Sequence, residues 1–422
     1  MRELESRYQK ELVVIGVHSG KYHAERVTDR IRDASIRLDA IHPVVNDRQF
    51  RTWRAYAVSA WPTVVAIDPA GYVVGAHAGE FAAEMLFPFI DGVIDSARSR
   101  GILDDSPLHF AADTPTRTSG ELRYPGKVII SGDRIAIADS GNHRVVIGRL
   151  DGPSVATIEK VIGTGNAGLS DGESGALNYP QGMALDKETL YIADAENHSV
   201  RAADLKSGAL RTVAGTGSQM RTRGDRAKGA MSSPWDGVLS GRALYVAMAG
   251  THQIWSVDLD NGSSRVHAGT GAEDIRDADN QNALLAQPMG ITITGDRLFF
   301  ADAESNGIRS AETAETGSVH TIVGTGLFDF GNVDGKGDDV RLQHPQGITP
   351  HPKGGLLAAD SYNDCIKLID PASRSSTTWL SGFNEPSGIS CSATHAYVAD
   401  TNAHRIMVVD LETKEMTELT LS

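Results

Sequence analysis

The feature that most constrains this chain is a repeat. Six times, a short apolar run ends at one recurring position: Asp139 (RIAIAD), Asp194 (LYIAD), Met248 (LYVAM), Asp302 (LFFAD), Asp360 (LLAAD) and Asp400 (AYVAD). Successive positions lie 55, 54, 54, 58 and 40 residues apart. A proline opens each copy (Pro125, Pro180, Pro234, Pro288, Pro345 and Pro386), 14 residues ahead of the aligned position in five copies and 15 in the fifth. A β-branched residue follows that position by six: Val145, Val200, Ile254, Ile308, Ile366 and Ile406. The copy from Tyr179 to Gly217 reads as four short strands, Gly182–Leu185, Leu190–Ala193, Val200–Leu205 and Leu210–Ala214, separated by Gly, Pro, Asn and Asp. One such sheet has two apolar faces and needs copies of itself to bury them. Six copies therefore predict a six-bladed β-propeller.

The same residues resemble a known family. Pro-x-Gly, then (Leu/Ile)-Tyr-(Ile/Val)-Ala-Asp, Asn-His-x-(Ile/Val) and Asp-Leu form a pattern similar to the NHL repeat, over roughly residues 121–422. The resemblance implies a six-bladed ring. Gly-Thr-Gly before a long loop (Gly163–Gly165, Gly215–Gly217, Gly269–Gly271 and the equivalent 324–326) is similar to NHL proteins with long inter-blade loops. Two places depart from the pattern: the fifth junction has only Ser381-Gly382 and a short link, and the first copy reads Pro125-Gly126 without a spacer residue. The blades are expected near 125–165, 180–217, 234–271, 288–326, 345–382 and 386–422. The last has its own fourth strand in Met416–Leu421, so closure blade on blade, without a swapped strand, is the expectation.

Residues 1–100 alternate helix and strand. A helix tail over 2–9, a buried strand Leu12–Val17, helices Ala24–Leu38 and Asp47–Tyr56, a hairpin Pro62–Ile67 with Tyr72–His77, and a helix Phe81–Ser99 are predicted from apolar spacing and turn residues. This order, with Trp61-Pro62-Thr63 before the hairpin, resembles the C-terminal four-fifths of a thioredoxin fold. The whole chain is then similar to the family that joins a thioredoxin-like domain to an NHL propeller. By that resemblance Pro62 holds the place of the fold's cis-proline, and Trp61, Pro62 and Thr63 are candidates for a substrate groove. The family's central strand and Cys-bearing loop lie upstream of the first helix, so the resemblance covers an N-terminally truncated α/β thioredoxin-like domain. Omitting a central strand leaves two rows of backbone groups unpaired at about 1–3 kcal/mol each. The expectation is therefore either a native chain extending upstream of Met1, or a degenerate domain that closes the gap or borrows a strand. Domains are expected at 1–100 (thioredoxin-like), 101–124 (linker, with Leu108–Ala111 packing on the propeller) and 125–422 (propeller).

Composition narrows the function. A net charge of −14 argues against a phosphate-backbone binder, so no nucleic-acid partner is expected. No apolar run approaches the roughly 20 residues of a membrane helix, and no signal peptide precedes MRELESRYQK. The two cysteines, Cys365 and Cys391, both fall in the propeller and give no disulfide framework, which points to a reducing cytoplasm. Thiol–disulfide exchange needs a low-pKa thiolate and a resolving sulfur, and residues 1–100 supply neither.

The recurring polar residues are read as structural. Asp139, Asp194, Asp302, Asp360 and Asp400 cap the turns that follow them, since a role repeated in every blade is an architectural one. Met248 is the outlier, marking a looser or specialised blade. His143, His198, His252 and His404, four residues on, stand in different blades and are not expected to converge on zinc, whose ligands meet within about 2 Å of one point. The acidic loop Asp329–Asp339 offers Asp334 and Asp338 as weak calcium candidates, without the oxygen ladder of an EF-hand. No nucleophile elbow, phosphate loop or distinct carboxylate pair appears. No catalytic residue, metal or cofactor is assigned. The leading expectation is a monomeric, non-catalytic interaction module that binds a protein or peptide on a propeller face. The alternatives are a thiol–disulfide oxidoreductase whose Cys motif lies upstream, serving redox homeostasis, and a metal-dependent propeller hydrolase or lyase.

Overall fold

In all six blades the opening proline pairs with the aligned residue: Pro125 with Asp139, Pro180 with Asp194, Pro234 with Met248, Pro288 with Asp302, Pro345 with Asp360 and Pro386 with Asp400. Proline has no N–H for a ladder, and the first residue of a strand is where it is tolerated. The structure is a computed structural model that describes residues 1–79, 81–106, 122–221, 226 and 229–422. The expected linker over 101–124, with its contact at Leu108–Ala111, lies largely outside the described residues.

Each blade is an antiparallel sheet whose four strands follow chain order. In blade 2 these are Pro180–Asp186, Thr189–Asp194, Ser199–Asp204 and Leu210–Gly215. Six such sheets form the six-bladed propeller. Its core is divided among the spaces between blades. Val145 and Ile162 of blade 1 pack with Met183, Leu190 and Leu205 of blade 2. The closing layer joins Val128 and Ile137 of blade 1 to Tyr397, Ile406 and Val408 of blade 6. Each fully buried aliphatic or aromatic side chain there contributes roughly 1.5–3 kcal/mol.

Ring closure differs from the expectation. Met416–Glu418 is the fourth strand of blade 6, but Thr420–Leu421 leaves that sheet and pairs in parallel with Val155 and Ala156 on blade 1. The Ser422 N–H donates to the Ala156 carbonyl at 3.0 Å, and Thr420 N–H to Ser154 at 2.9 Å. The physical reason is the outer edge of blade 1, a row of unpaired backbone groups that a fifth strand covers. The long loops do the same for the blades they precede. Gly172 bridges to Leu210, Ala278–Asp279 pairs with Val319 and Ser318, and Gly335–Lys336 pairs with Ser376 and Ser375. The first copy does not lack a spacer: Pro125 keeps its register, and Lys127 stands where four other blades place glycine.

The chain divides into two compact units, Met1–Arg117 and Thr118–Ser422. The first contains helices Arg2–Arg7, Thr28–Arg37, Arg51–Ala55 and Phe87–Ser99. The expected helix from Ala24 begins as a 3-10 turn, Ala24–Arg26, and the one from Phe81 as Ala83–Met85, with Pro88 in the first turn of the α-helix that follows. Of the expected strand Leu12–Val17, the ladder forms only at Gly16–His18, parallel to Val44–Asn46. The hairpin Thr63–Ile67 with Val73–Ala78 is a separate sheet, and among the described residues no pairing joins the two. Leu4, Tyr8 and Ile94 form the small buried centre of this unit.

Candidate functional site at the blade junctions

The aligned carboxylates are buried, and each is used twice. One oxygen accepts from a nearby side chain: Asn142, Asn197, Ser305 or Asn363, as a turn cap does, and Arg405 in the case of Asp400. The other reaches back to the segment that enters the same blade. Asp139 accepts the N–H of Arg123, Asp194 that of Asn178, Asp302 that of Ala286, Asp360 that of Gln343 and Asp400 that of Asn384, at 2.5–2.9 Å. In blade 3, Met248 cannot make this bond.

The histidines hold the next blade. The residue four beyond the aligned position is left-handed in every blade, with φ between 47° and 58°. Its side chain accepts the backbone N–H of the residue just before the next blade's proline. His143 accepts from Tyr179, His198 from Ser233, His252 from Gln287, Asn306 from His344, Asp364 from Glu385 and His404 from Tyr124, each at 3.1 Å. The acceptor is Nδ1 in all four imidazoles, which places the proton of each neutral ring on Nε2. Three junctions add a hydroxyl donated to the proline carbonyl: Ser140 to Pro180, Ser361 to Pro386 and Thr401 to Pro125. The ring-closing junction, where the chain offers no covalent link between the blades, is one of these. This latch was missed in the sequence, although one signal was there: the acceptor precedes its partner by 35 or 36 residues at three junctions.

A cation seven residues beyond the aligned position ties the long loops down in three blades. Arg201 binds Asp194 and the loop residue Asp171, and Arg309 binds Asp302 and Asp277, with both guanidinium side chains fully buried. Lys367, also fully buried, binds Asp334 at 2.8 Å, with Asn332 and Thr378 completing its shell. Burial alone would raise the Asp334 carboxyl, but the bonds from Lys367 and Thr378 outweigh it and hold the group below the usual range. Asp334 is thus a counter-ion of the protein's own ammonium group, and Asp338 pairs with Arg374 at 3.1 Å. Lys367 makes no bond to Asp360, whose carboxyl burial pushes up to about 7. In blade 3 the Asp–cation pair is replaced by Met248 and Trp255, packed in one apolar cluster.

In the first unit the Trp61–Pro62 bond is cis. Trp61 is half exposed, packs tilted against Trp53 at 4.5 Å between centroids, and donates from its indole N–H to the Ser19 carbonyl. The Ser19 hydroxyl donates to Asp47, whose carboxylate also accepts three backbone N–H groups at the start of the helix Arg51–Ala55. Thr63 donates its hydroxyl to Ala60. Burial pushes both thiols, Cys365 and Cys391, up to about 12, so neither is a thiolate near neutrality. Among the described residues no three His, Cys, Asp or Glu side chains are grouped to hold a metal ion, and no helix is long and apolar enough to cross a membrane.

Leu169, Phe328 and Val333 on the long loops are exposed apolar side chains. The NHL repeat model matches residues 177–202. The chain is 37% identical to NHL repeat-containing protein 2 of Gallus gallus and 36% identical to that of Homo sapiens, in each case over 99% of this chain and 65% of the relative. It is 33% identical to the protein SUPPRESSOR OF QUENCHING 1, chloroplastic, of Arabidopsis thaliana, over 99% of this chain and 43% of that protein. The chain therefore spans just under two thirds of the length of the first two relatives.

Proposed function

This chain is a homologue of NHL repeat-containing protein 2 along nearly all of its own length, and on that premise we propose that it is a non-catalytic binding scaffold. Its propeller presents the long-loop end to a protein or peptide partner. One observation carries the reading. The recurring carboxylates and imidazoles, the groups that could otherwise do acid–base or metal chemistry, are already bonded within and between blades. The variable part of each blade is the loop, and its exposed apolar residues suit a partner surface.

The first unit is read as a thioredoxin-like domain from its parallel pair, its hairpin and the helices beside them. Residues 1–364 contain no cysteine, so within this chain that domain carries no thiol for exchange. It is read as a docking element at Trp61, Pro62 and Thr63.

The test replaces Leu169, Phe328 and Val333 together with serine and follows binding by crosslinking and mass spectrometry, with melting temperature as a control. Partners that crosslink to the loops of the parent chain and are lost from the variant, at unchanged melting temperature, support the reading. Equal capture by both chains would overturn the choice of face. Turnover of a disulfide substrate by the purified chain would overturn the non-catalytic reading.

A further inference from the structure

The third residue of each blade, two after the opening proline, forms a ring around the propeller axis. Glycine stands there in four blades: Gly182, Gly290, Gly347 and Gly388. The reason is contact with the next blade. A Cβ on Gly182 would meet the Asp236 backbone at 2.3 Å, one on Gly347 the Ser387 carbonyl at 1.9 Å, and one on Gly388 the Lys127 Cα at 2.5 Å. The inner strands approach so closely that side chains of the common direction do not fit. The two remaining blades break the rule in opposite senses, with Lys127 in blade 1 and Asp236 in blade 3.

These two exceptions meet. Lys127 Nζ donates to Asp236 Oδ2, with both side chains nearly buried. Blade 2 separates blades 1 and 3 around the rim, so the pair can form only across the opening. The same oxygen of Asp236 accepts the N–H of Ile291 from blade 4 at 3.2 Å, and Oδ1 the N–H of Gly237 at 2.9 Å. One carboxylate therefore joins three blades.

We propose that Lys127 and Asp236 are a cross-axis tie, in which the chain's own ammonium group is itself the cation on the propeller axis and seals the channel. The two mouths of the propeller are then separate, and a ligand is held at a mouth and never inside the channel. The inference concerns the ring and holds whichever partner the loops take. Either residue alone is a liability, because a buried charge without its partner is costly; together they are compatible with the glycine ring.

The experiment uses the full chain and the repeat's own residue. Lys127→Gly, Asp236→Gly and the double variant are compared by thermal unfolding. Lys127→Gly is expected to lower the melting temperature by about 5 °C or more. The double variant should fall by less than the sum of the singles, because it restores the glycine ring. Ethylammonium chloride, set against sodium chloride at equal ionic strength, should raise the melting temperature of Lys127→Gly and leave the double variant unmoved. Additive single effects, or singles that melt with the parent, overturn the tie. Rescue of both variants alike, or of neither, overturns the reading of the Lys127 ammonium group as the cation at the axis. If Lys127→Gly does not fold, Lys127→Met is compared with Lys127→Met/Asp236→Leu. A double variant no more stable than its single would reject the proposal.

Discussion

The two units bury their apolar residues with unequal success. Among the described residues, sixteen of the twenty-one large apolar side chains that remain exposed belong to the first hundred residues, including Val13, Ile15, Val17, Ile67, Tyr72, Val73 and Val74. The propeller, three times as long, accounts for the other five. In the propeller each sheet is covered on both faces by its neighbouring blades, and edge cover comes from loops and from Thr420–Leu421. Among the described residues of the first unit two two-stranded sheets stand unpaired with each other, and strand residues of buried-sheet character face water. Two-stranded sheets are marginal by themselves. Charge divides the same way. Residues 1–100 hold 13 Lys and Arg against 13 Asp and Glu, so the net charge of −14 resides in the remainder. A repeat solves burial and edge protection together, and two separate two-stranded sheets solve neither by themselves.

If that contrast is right, the propeller should be brittle at its buried polar bonds and the first unit tolerant at its surface. The largest effect is expected from Asp302→Ala, which takes one of its two carboxylates from the buried Arg309 and the acceptor from the Ala286 N–H. Denaturant unfolding should show a loss of about 3–5 kcal/mol. Asp302→Met with Arg309→Leu, which copies the apolar solution of Met248 and Trp255, should recover part of it; a double variant worse than Asp302→Ala would contradict the pairing. Next comes Leu4→Ala in the small core of the first unit, at about 2–4 kcal/mol. Hydrogen exchange should report opening of residues 1–100 with the propeller strands unchanged, and parallel loss in both units would erase the distinction.

The junction latch predicts a smaller, pH-dependent term. Burial, with some help from Arg221, lowers the His198 pKa below its ordinary 6.5. The neutral ring accepts the Ser233 N–H, and the unfolded chain takes up the proton more readily than the folded one. The contribution is therefore complete above about pH 6.5 and is lost as pH falls below it. His198→Asn, which places in blade 2 the residue blade 4 uses at Asn306, should cost at most about 0.5–1 kcal/mol at pH 7.5. It should also flatten the fall in melting temperature between pH 7 and 5, and an unchanged slope would show that His198 does not titrate there. The smallest effect is Ile15→Ser, within about 0.5 kcal/mol, because the side chain is already more than half exposed. A large loss there would mean that this face is covered in solution.

Much of the ring was legible because its signals are local. Proline at a strand start, Asp before a tight turn and β-branched residues in the third strand each answer to the backbone of one blade. The latch was harder to read because its donor is a backbone N–H in the next blade, and a backbone group leaves no residue type to recognise; His143, Asn306 and Asp364 look unrelated until their common partner is seen. Asp334 pointed toward calcium because its counter-ion, Lys367, lies 33 residues on, hidden by a fold-back of the loop. Lys127 read as a missing spacer because Gly126 resembles the glycine of the repeat, whereas the register follows the proline. In the first unit Leu12–Val17 looked like a buried strand from composition, but a ladder needs a neighbour as well as apolar side chains, and only Gly16–His18 has one.

The junction bond also defines what a blade is as a heritable unit. Each blade carries one acceptor side chain on the turn between its second and third strands and one donor N–H at its entrance, and the donor belongs to the main chain, which every sequence possesses. The connector therefore places a demand on only one residue per copy, and imidazole, carboxamide and carboxylate all meet it. Copies can be duplicated, reordered or lost while the joint is preserved, so loops can diverge freely on a ring whose couplings never have to be reinvented.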